Sequence, residues 1–323
     1  MIGLRILGTA TLLEGEPRST EAVAAEAMPD RAPAVVRRLT GIETRHWIGA
    51  EVGAVELAVR AIQAAASRAG VEVGALRRVI FVTSTGGDRL CPANVNDVIH
   101  ALGLDGRADG FDLNNACTGF LNGLDLAARC LATGAPGPVA VVVVETPSRF
   151  LSPAEPRPYV VFGDAAVAAI LDGGPGELLG SHFGNMGAHA DAVVLDHPER
   201  VGALTGLRFN AGRDVLFELA LGALRQSADA VLGPAGLTLP QIEWVVPHQP
   251  NGYMLHNLLK GLGISPDRLV PVVESVGSVG AASVAVGLDR LLRERPVAAG
   301  QHILMLGVGA GMSYGALLLR VGS

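Results

Sequence analysis

The tripeptide Gly123-Leu124-Asp125 returns in the second half of the chain as Gly287-Leu288-Asp289. Its surroundings return at nearly the same spacing: Leu76–Phe81 parallels Ile242–Pro247, and the run opening at Val139 parallels the one opening at His302. In each copy the tripeptide sits late in an amphipathic stretch flanked by short β-branched runs. Such a pattern implies two similar α/β halves, divided as 1–171 and 172–323, with matching loops at one face and a site between them.

The periodicities agree with an α/β chain. Strands are expected at Val79–Val82, Val139–Val144, Val160–Leu171, Trp244–Val246 and Ile303–Leu306, and helices over Val52–Ala69, Phe120–Ala132, Val215–Leu232 and Gly252–Leu262. Pro147–Pro153 and Arg208–Asp214 read as long functional loops. With 323 residues, 49% of them apolar and 17% charged, the chain can bury a large core. A net charge of −6 argues against a nucleic-acid or acidic-membrane partner. The longest apolar run, Val139–Val144, is far short of the roughly 20 residues of a membrane span, and the start lacks the features of a signal peptide, so a cytoplasmic location is expected. Three cysteines without a CxxC pair favour neither a disulfide framework nor a zinc cage. His189, Asp191 and His197 fit no metal-ligand spacing, and no metal or cofactor is expected.

Chemistry concentrates in three segments. Phe111–Phe120 runs from a strand-like start through a small-residue turn into a helix, placing Cys117 near a helix N-terminus. There the dipole favours thiolate and unpaired amides can form an oxyanion hole. The same position also suits a small buried core thiol. In Val245–Asn251 a buried strand ends at His248, where a histidine projects into the crevice of an α/β sheet and can shuttle protons; a capping or surface histidine is the alternative. The glycine-rich segments Gly277–Ser283 and Gly307–Gly315 do not spell GxGxxG and suit close backbone approach better than dinucleotide binding.

In order along the chain, Thr40–Arg45, the Cys117 segment, Val161–Ala166, Pro247–Asn251, Gly277–Ser283 and the closing glycine loop resemble β-ketoacyl-acyl-carrier-protein synthase III, of the thiolase superfamily. The resemblance implies a thiolase-like α/β fold, two duplicated halves in αβαβα layers, usually as a homodimer. It implies Cys117 as acyl-accepting nucleophile, His248 as catalytic histidine and the amides of Cys117 and Gly309 as oxyanion hole. The substrate would be a pantetheine thioester, on acyl carrier protein or CoA, with Asn251 beside the pantetheine arm.

Three departures from the family pattern shape the expected activity. Ser278 stands where the family has the asparagine that helps to stabilise the enolate left by malonyl decarboxylation. Val35 and Leu39 replace the residues that hold the CoA nucleotide, with Arg37 and Arg38 beside them. Arg157 matches the other nucleotide-binding arginine only loosely. A carrier-protein donor is therefore expected, with Phe209 and Cys91 near the acyl pocket. The favoured reading is an acyltransferase of polyketide, fatty-acid or secondary metabolism that passes its acyl group to a hydroxyl, amine or activated carbon. A conventional decarboxylating synthase and a non-catalytic partner subunit of a heterodimer are the alternatives.

Overall fold

The fold follows from strands that are apolar on both faces, a pattern that requires cover on both sides of a sheet. In the computed structural model, which describes residues 1–134, 137–197 and 206–322, the framing strands are β1 (Ile2–Leu12), β2 (Arg78–Val82), β3 (Asp109–Leu113), β4 (Val139–Glu145), β5 (Ala165–Asn185), β6 (Trp244–Pro247), β7 (His302–Gly309) and β8 (Ser313–Arg320). The framing helices are α1 (Pro33–Thr40), α2 (Ala54–Ala69), α3 (Gly119–Ala132), α4 (Arg213–Leu232), α5 (Gly252–Leu262) and α6 (Ala282–Glu294). The strands join in the order β6-β7-β8-β5-β4-β2-β3, with β1 paired to β5. β2 lies parallel to β3 and β4, and β6 parallel to β7; the other pairs are antiparallel.

β5 belongs to both halves. Residues Ala165–Leu171 pair with β4, whereas Glu177–Asn185 pair with β8. Between them Gly173-Gly174-Pro175-Gly176 carries the strand from one layer to the other, so the expected boundary at 171/172 falls inside a continuous strand.

Alternation of side chains builds the layers. In β4, Val139, Val141 and Val143 face a central core shared with α3 and α6, while Ala140, Val142 and Val144 face an outer core under α2. In β7, Ile303 and Met305 face the same central core, and Leu304 and Leu306 face a second outer core under α4 and α5. The result is five layers: α2, a sheet, α3 with α6, a sheet, and α4 with α5. This is the αβαβα thiolase-like arrangement expected from the sequence. Face parity also corrects the strand correspondence. Inward Val139 must match inward Ile303 rather than His302, which is the same spacing that separates Gly123 from Gly287.

The repeated tripeptide now has a physical reading. A Cβ on Gly123 would stand 2.8 Å from Val141 Cγ1, and one on Gly287 3.0 Å from Val246 Cγ1, so each glycine lets its helix lie close on a strand. Leu124 and Leu288 are fully buried in the central core. Asp289 accepts hydrogen bonds from the Thr9 and Thr11 hydroxyls at 2.8 and 2.7 Å, and Asp125 accepts from Arg129 at 2.7 Å.

Helix Gly252–Leu262 was expected with these bounds, and the other three helices differ by one or two residues. The strand expected over Val160–Leu171 is corrected: Val160–Val161 is a turn following the short helix Pro156–Tyr159, Phe162 makes an isolated parallel bridge to Ser278, and continuous pairing begins only at Ala165. The reason is Asp164, buried with its carboxylate accepting from the amides of Ile48 and Ser148 and from the Ser148 hydroxyl, which bends the chain there. The loop expected at Arg208–Asp214 is shorter than supposed, since Arg208–Phe209 pairs with Val193–Val194 and α4 begins at Arg213.

Candidate active site

Cys117 lies in the 3-10 turn Ala116–Thr118 that leads directly into α3. The residue before it, Ala116, has φ +47°, left-handed backbone that costs a non-glycine residue about 1–2 kcal/mol. The turn is tied down around it: the Thr118 hydroxyl donates to the Asn115 carbonyl at 2.7 Å, and Ser313 donates to the same carbonyl from β8 at 3.1 Å. Such strain, held by its surroundings, is a mark of a functional site.

Gly309, at the end of β7, packs against this turn so closely that a Cβ there would stand 2.6 Å from the Cys117 amide nitrogen. The amides acting on the Cys117 sulfur are those of Ala310, one residue beyond Gly309, and of Cys117 itself. Gly309 supplies the clearance that lets them converge. Burial, and secondarily the charge of Glu145, push the thiol up to about 12, against the pull of those two amides. A helix-terminal position was expected to favour thiolate; burial outweighs it, and the resting group is a thiol.

His248 follows β6 directly and donates its own amide to the Leu306 carbonyl at 2.7 Å. Its neighbour Gln249 fixes the loop, donating through Nε2 to the Val270 carbonyl at 3.1 Å and accepting through Oε1 from the Val272 and Val273 amides. His248 is 4% exposed, its Nδ1 has no hydrogen-bond partner among the described residues, and burial lowers its pKa to about 4. Among the described residues no carboxylate orients it. At neutral pH it is an uncharged imidazole, suited to donating a hydrogen bond and poorly suited to holding a full proton.

Cys117, His248 and Ser278 line one cavity of about 600 Å³. Ser278 is fixed by its backbone, with its amide donating to Val161 at 2.9 Å and its carbonyl accepting from Gly163 at 3.0 Å. Asn251 and Phe209 also line the cavity. Asn251 spends its side-chain oxygen on capping α5 through the Met254 amide at 2.8 Å. Phe209 stacks on Phe162 at 5.9 Å between ring centroids, and the Arg157 guanidinium lies 5.0 Å from the Phe209 centroid; Arg157 also lines the cavity.

Arg37 and Arg38 do not line it. They lie on the exposed side of α1, where Arg37 is within 4.0 Å of Glu21 and Glu43. The cations that do line the cavity are Arg31, Arg157 and Arg213. Sequence reasoning missed Arg31 and Arg213, which only the fold brings beside Arg157. It also missed Glu145, buried at the end of β4 with its carboxylate accepting from the Ser84 amide at 3.0 Å and the Ser84 hydroxyl at 2.6 Å. A signal was present, since a lone carboxylate ends an otherwise all-apolar strand. Cys91 is exposed and is not among the cavity residues. No helix among the described residues is long and apolar enough to cross a membrane.

The chain is similar to known proteins over nearly its whole length. Residues 111–187 match the 3-oxoacyl-[acyl-carrier-protein] synthase III family and residues 232–321 match its C-terminal region. The solved 3-oxoacyl-(acyl carrier protein) synthase III of Pseudomonas aeruginosa is 30% identical, covering 99% of both chains with a TM-score of 0.89. The priming β-ketosynthase of the R1128 polyketide pathway is 28% identical over 99% of this chain and 96% of that one, with a TM-score of 0.90. The synthase III of Aquifex aeolicus is 25% identical over 98% of this chain and 100% of that one, also at 0.90. With a cysteine turn, a buried histidine and two converging amides on one cavity, the chain belongs to the 3-oxoacyl-[acyl-carrier-protein] synthase III family of condensing and acyl-transferring enzymes.

Proposed function

We propose that the chain loads an acyl group from a carrier-protein thioester onto Cys117 and passes it to a hydroxyl, an amine or an already acidic carbon, without malonyl decarboxylation. The observation that carries this reading is Ser278. It occupies the cavity wall with Cys117 and His248, and its backbone is held on both sides. A serine hydroxyl has less reach than an amide and one donor instead of two. Enolate formation places negative charge on the thioester oxygen, and losing one oriented donor there typically costs about 100- to 1,000-fold in rate. Loading does not need that donor, because its oxyanion is met by the amides of Cys117 and Ala310.

The cavity's entrance supports a carrier-protein donor. Arg31, Arg157 and Arg213 suit the phosphate of a pantetheine arm, whereas Val35 and Leu39 offer no flat surface for adenine. Leu39 is 39% exposed, and with Arg37 and Arg38 it forms a mixed apolar and basic rim that suits the acidic helix of a carrier. Retention of cysteine and histidine on one cavity counts against a purely structural subunit.

Capture of labelled carbon dioxide from malonyl-acyl-carrier protein tests the reading. The wild-type protein should release it at least about 100-fold more slowly than it loads Cys117, and Ser278→Asn should raise that release. Wild-type decarboxylation as fast as loading would instead make the protein a conventional synthase.

A further inference from the structure

We infer that Glu145 is a catalytic residue of this site, the general base that takes the proton from the acceptor as it attacks the Cys117 thioester. The inference rests on the acyl-transfer reading above and adds the group that activates the acceptor.

The cavity walls offer few candidates. The described ionisable groups that line it are Arg31, Arg157, Arg213, Cys117, His248 and Glu145. The arginines stay charged and cannot accept a proton. Cys117 carries the acyl group during transfer. His248 is buried, and among the described residues its Nδ1 has no partner and no carboxylate stands by to stabilise an imidazolium. Only Glu145 remains as a base.

Its surroundings are built to hold a carboxylate that can still be protonated. Ser84 donates its amide and hydroxyl to the two oxygens, and the Ala281 amide approaches at 3.4 Å. Gly280 leaves room for it: a Cβ there would stand 3.1 Å from the carboxyl carbon. Among the described residues its charge interacts with Asp164 and with the Cys117 thiol, neither of them a cation, and Arg149 interacts with Asp164. Burial, partly opposed by the Ser84 hydrogen bonds, brings Glu145 to about 7, where a general base is most useful.

The step balances without any further reactant. The acceptor's X–H proton passes to the Glu145 carboxylate as X bonds to the acyl carbon, while the amides of Cys117 and Ala310 and the His248 ring hold the oxyanion. The carbon–sulfur bond then breaks with its electron pair on Cys117 Sγ, and the thiolate recovers a proton from the Glu145 carboxyl.

Water and glycerol, which do not titrate in the working range, serve as probe acceptors. Wild-type protein is loaded from a panel of acyl-carrier-protein thioesters of two to twelve carbons, freed of donor, and its acyl-enzyme followed by intact mass between pH 5.5 and 9. Decay should rise through an inflection near pH 7 and level above it. Once loaded, Glu145→Gln should decay at least about 100-fold more slowly on the plateau and without that inflection, and Glu145→Asp should restore an inflection. Ser84→Ala removes a hydrogen bond to the charged form, so its inflection should move to higher pH while the plateau remains. A merely structural role would not move the inflection in that way. An inflection that persists in Glu145→Gln, or that Ser84→Ala leaves in place, overturns the assignment of Glu145 alone. A wild-type protein that accepts no acyl group from any member of the panel overturns the acyl-transfer reading, and this inference with it.

Discussion

The two halves place equivalent residues at the heart of the site and use them differently. Ala116 and Gly280, spaced as Gly123 and Gly287 are, both precede a helix in left-handed backbone, with φ +47° and +53°. The residue that follows is Cys117 in the first half and Ala281 in the second. At the same spacing, Glu145 ends β4 and Gly309 ends β7. Gly309 packs on the Cys117 amide and carries no side chain into the turn. Glu145 instead projects a carboxylate toward the Ala281 amide and against Gly280. One turn therefore meets only backbone at the strand end, while its counterpart meets a carboxyl group of the protein's own. Duplication supplied two similar turns, and a single side chain at the end of a strand separates their roles.

The comparison breaks most sharply at the two glycines. Gly309→Ala drives a Cβ to 2.6 Å from the Cys117 amide, so acyl loading measured by intact mass should fall about 100- to 1,000-fold, the usual cost of a spoiled oxyanion hole. Gly280→Ala places its Cβ 3.1 Å from the Glu145 carboxyl at a left-handed φ, so its main effect should be a loss of about 1–2 kcal/mol of stability in urea. Equal loading defects in the two variants would remove the distinction between the two turns.

Smaller effects should come from pH, with opposite signs in the two halves. Glu145 is raised from 4.5 to about 7 on folding, so its contribution is most favourable below pH 4.5 and is lost as pH rises through 7. His248 is lowered from 6.5 to about 4, so its contribution is complete above pH 6.5 and is lost as pH falls toward 4. Relative to Glu145→Gln, the wild-type protein should be less stable at pH 8 than at pH 4.5. Relative to His248→Ala, it should be less stable at pH 4 than at pH 7. Each difference should reach up to ~3 kcal/mol, measured by urea unfolding across the range. Slopes of the same sign would contradict the burial assigned to one of the two groups.

Much of this architecture is legible in the residues. Val139–Val144 reads as a strand because it is covered on both faces, and the bounds of Gly252–Leu262 follow from Asn251 as cap and Gly263 in left-handed backbone. Cys117 and His248 stand out through local pattern, each at a junction between an extended run and a helix. The remainder depends on distance in space. Val160 to Leu171 reads as one strand until Asp164 is seen to bind amides of segments remote in sequence. Arg37 and Arg38 lie between the apolar Val36 and Leu39, but only Val36 and Leu39 turn toward the cavity. Arg31 and Arg213 are ordinary surface cations in their own segments and matter because the fold gathers them around one opening. Glu145 ends a strand whose pattern announces only burial; its meaning emerges once the halves are superposed at the corrected spacing.

Peptide mapping after exposure to acyl-carrier-protein thioesters tests most directly whether Cys117 is the acyl-bearing residue. One acyl group should appear on the peptide carrying Cys117 and be absent from Cys117→Ala. An acyl group found on Cys91 or Cys130, or one that persists in Cys117→Ala, would contradict the account.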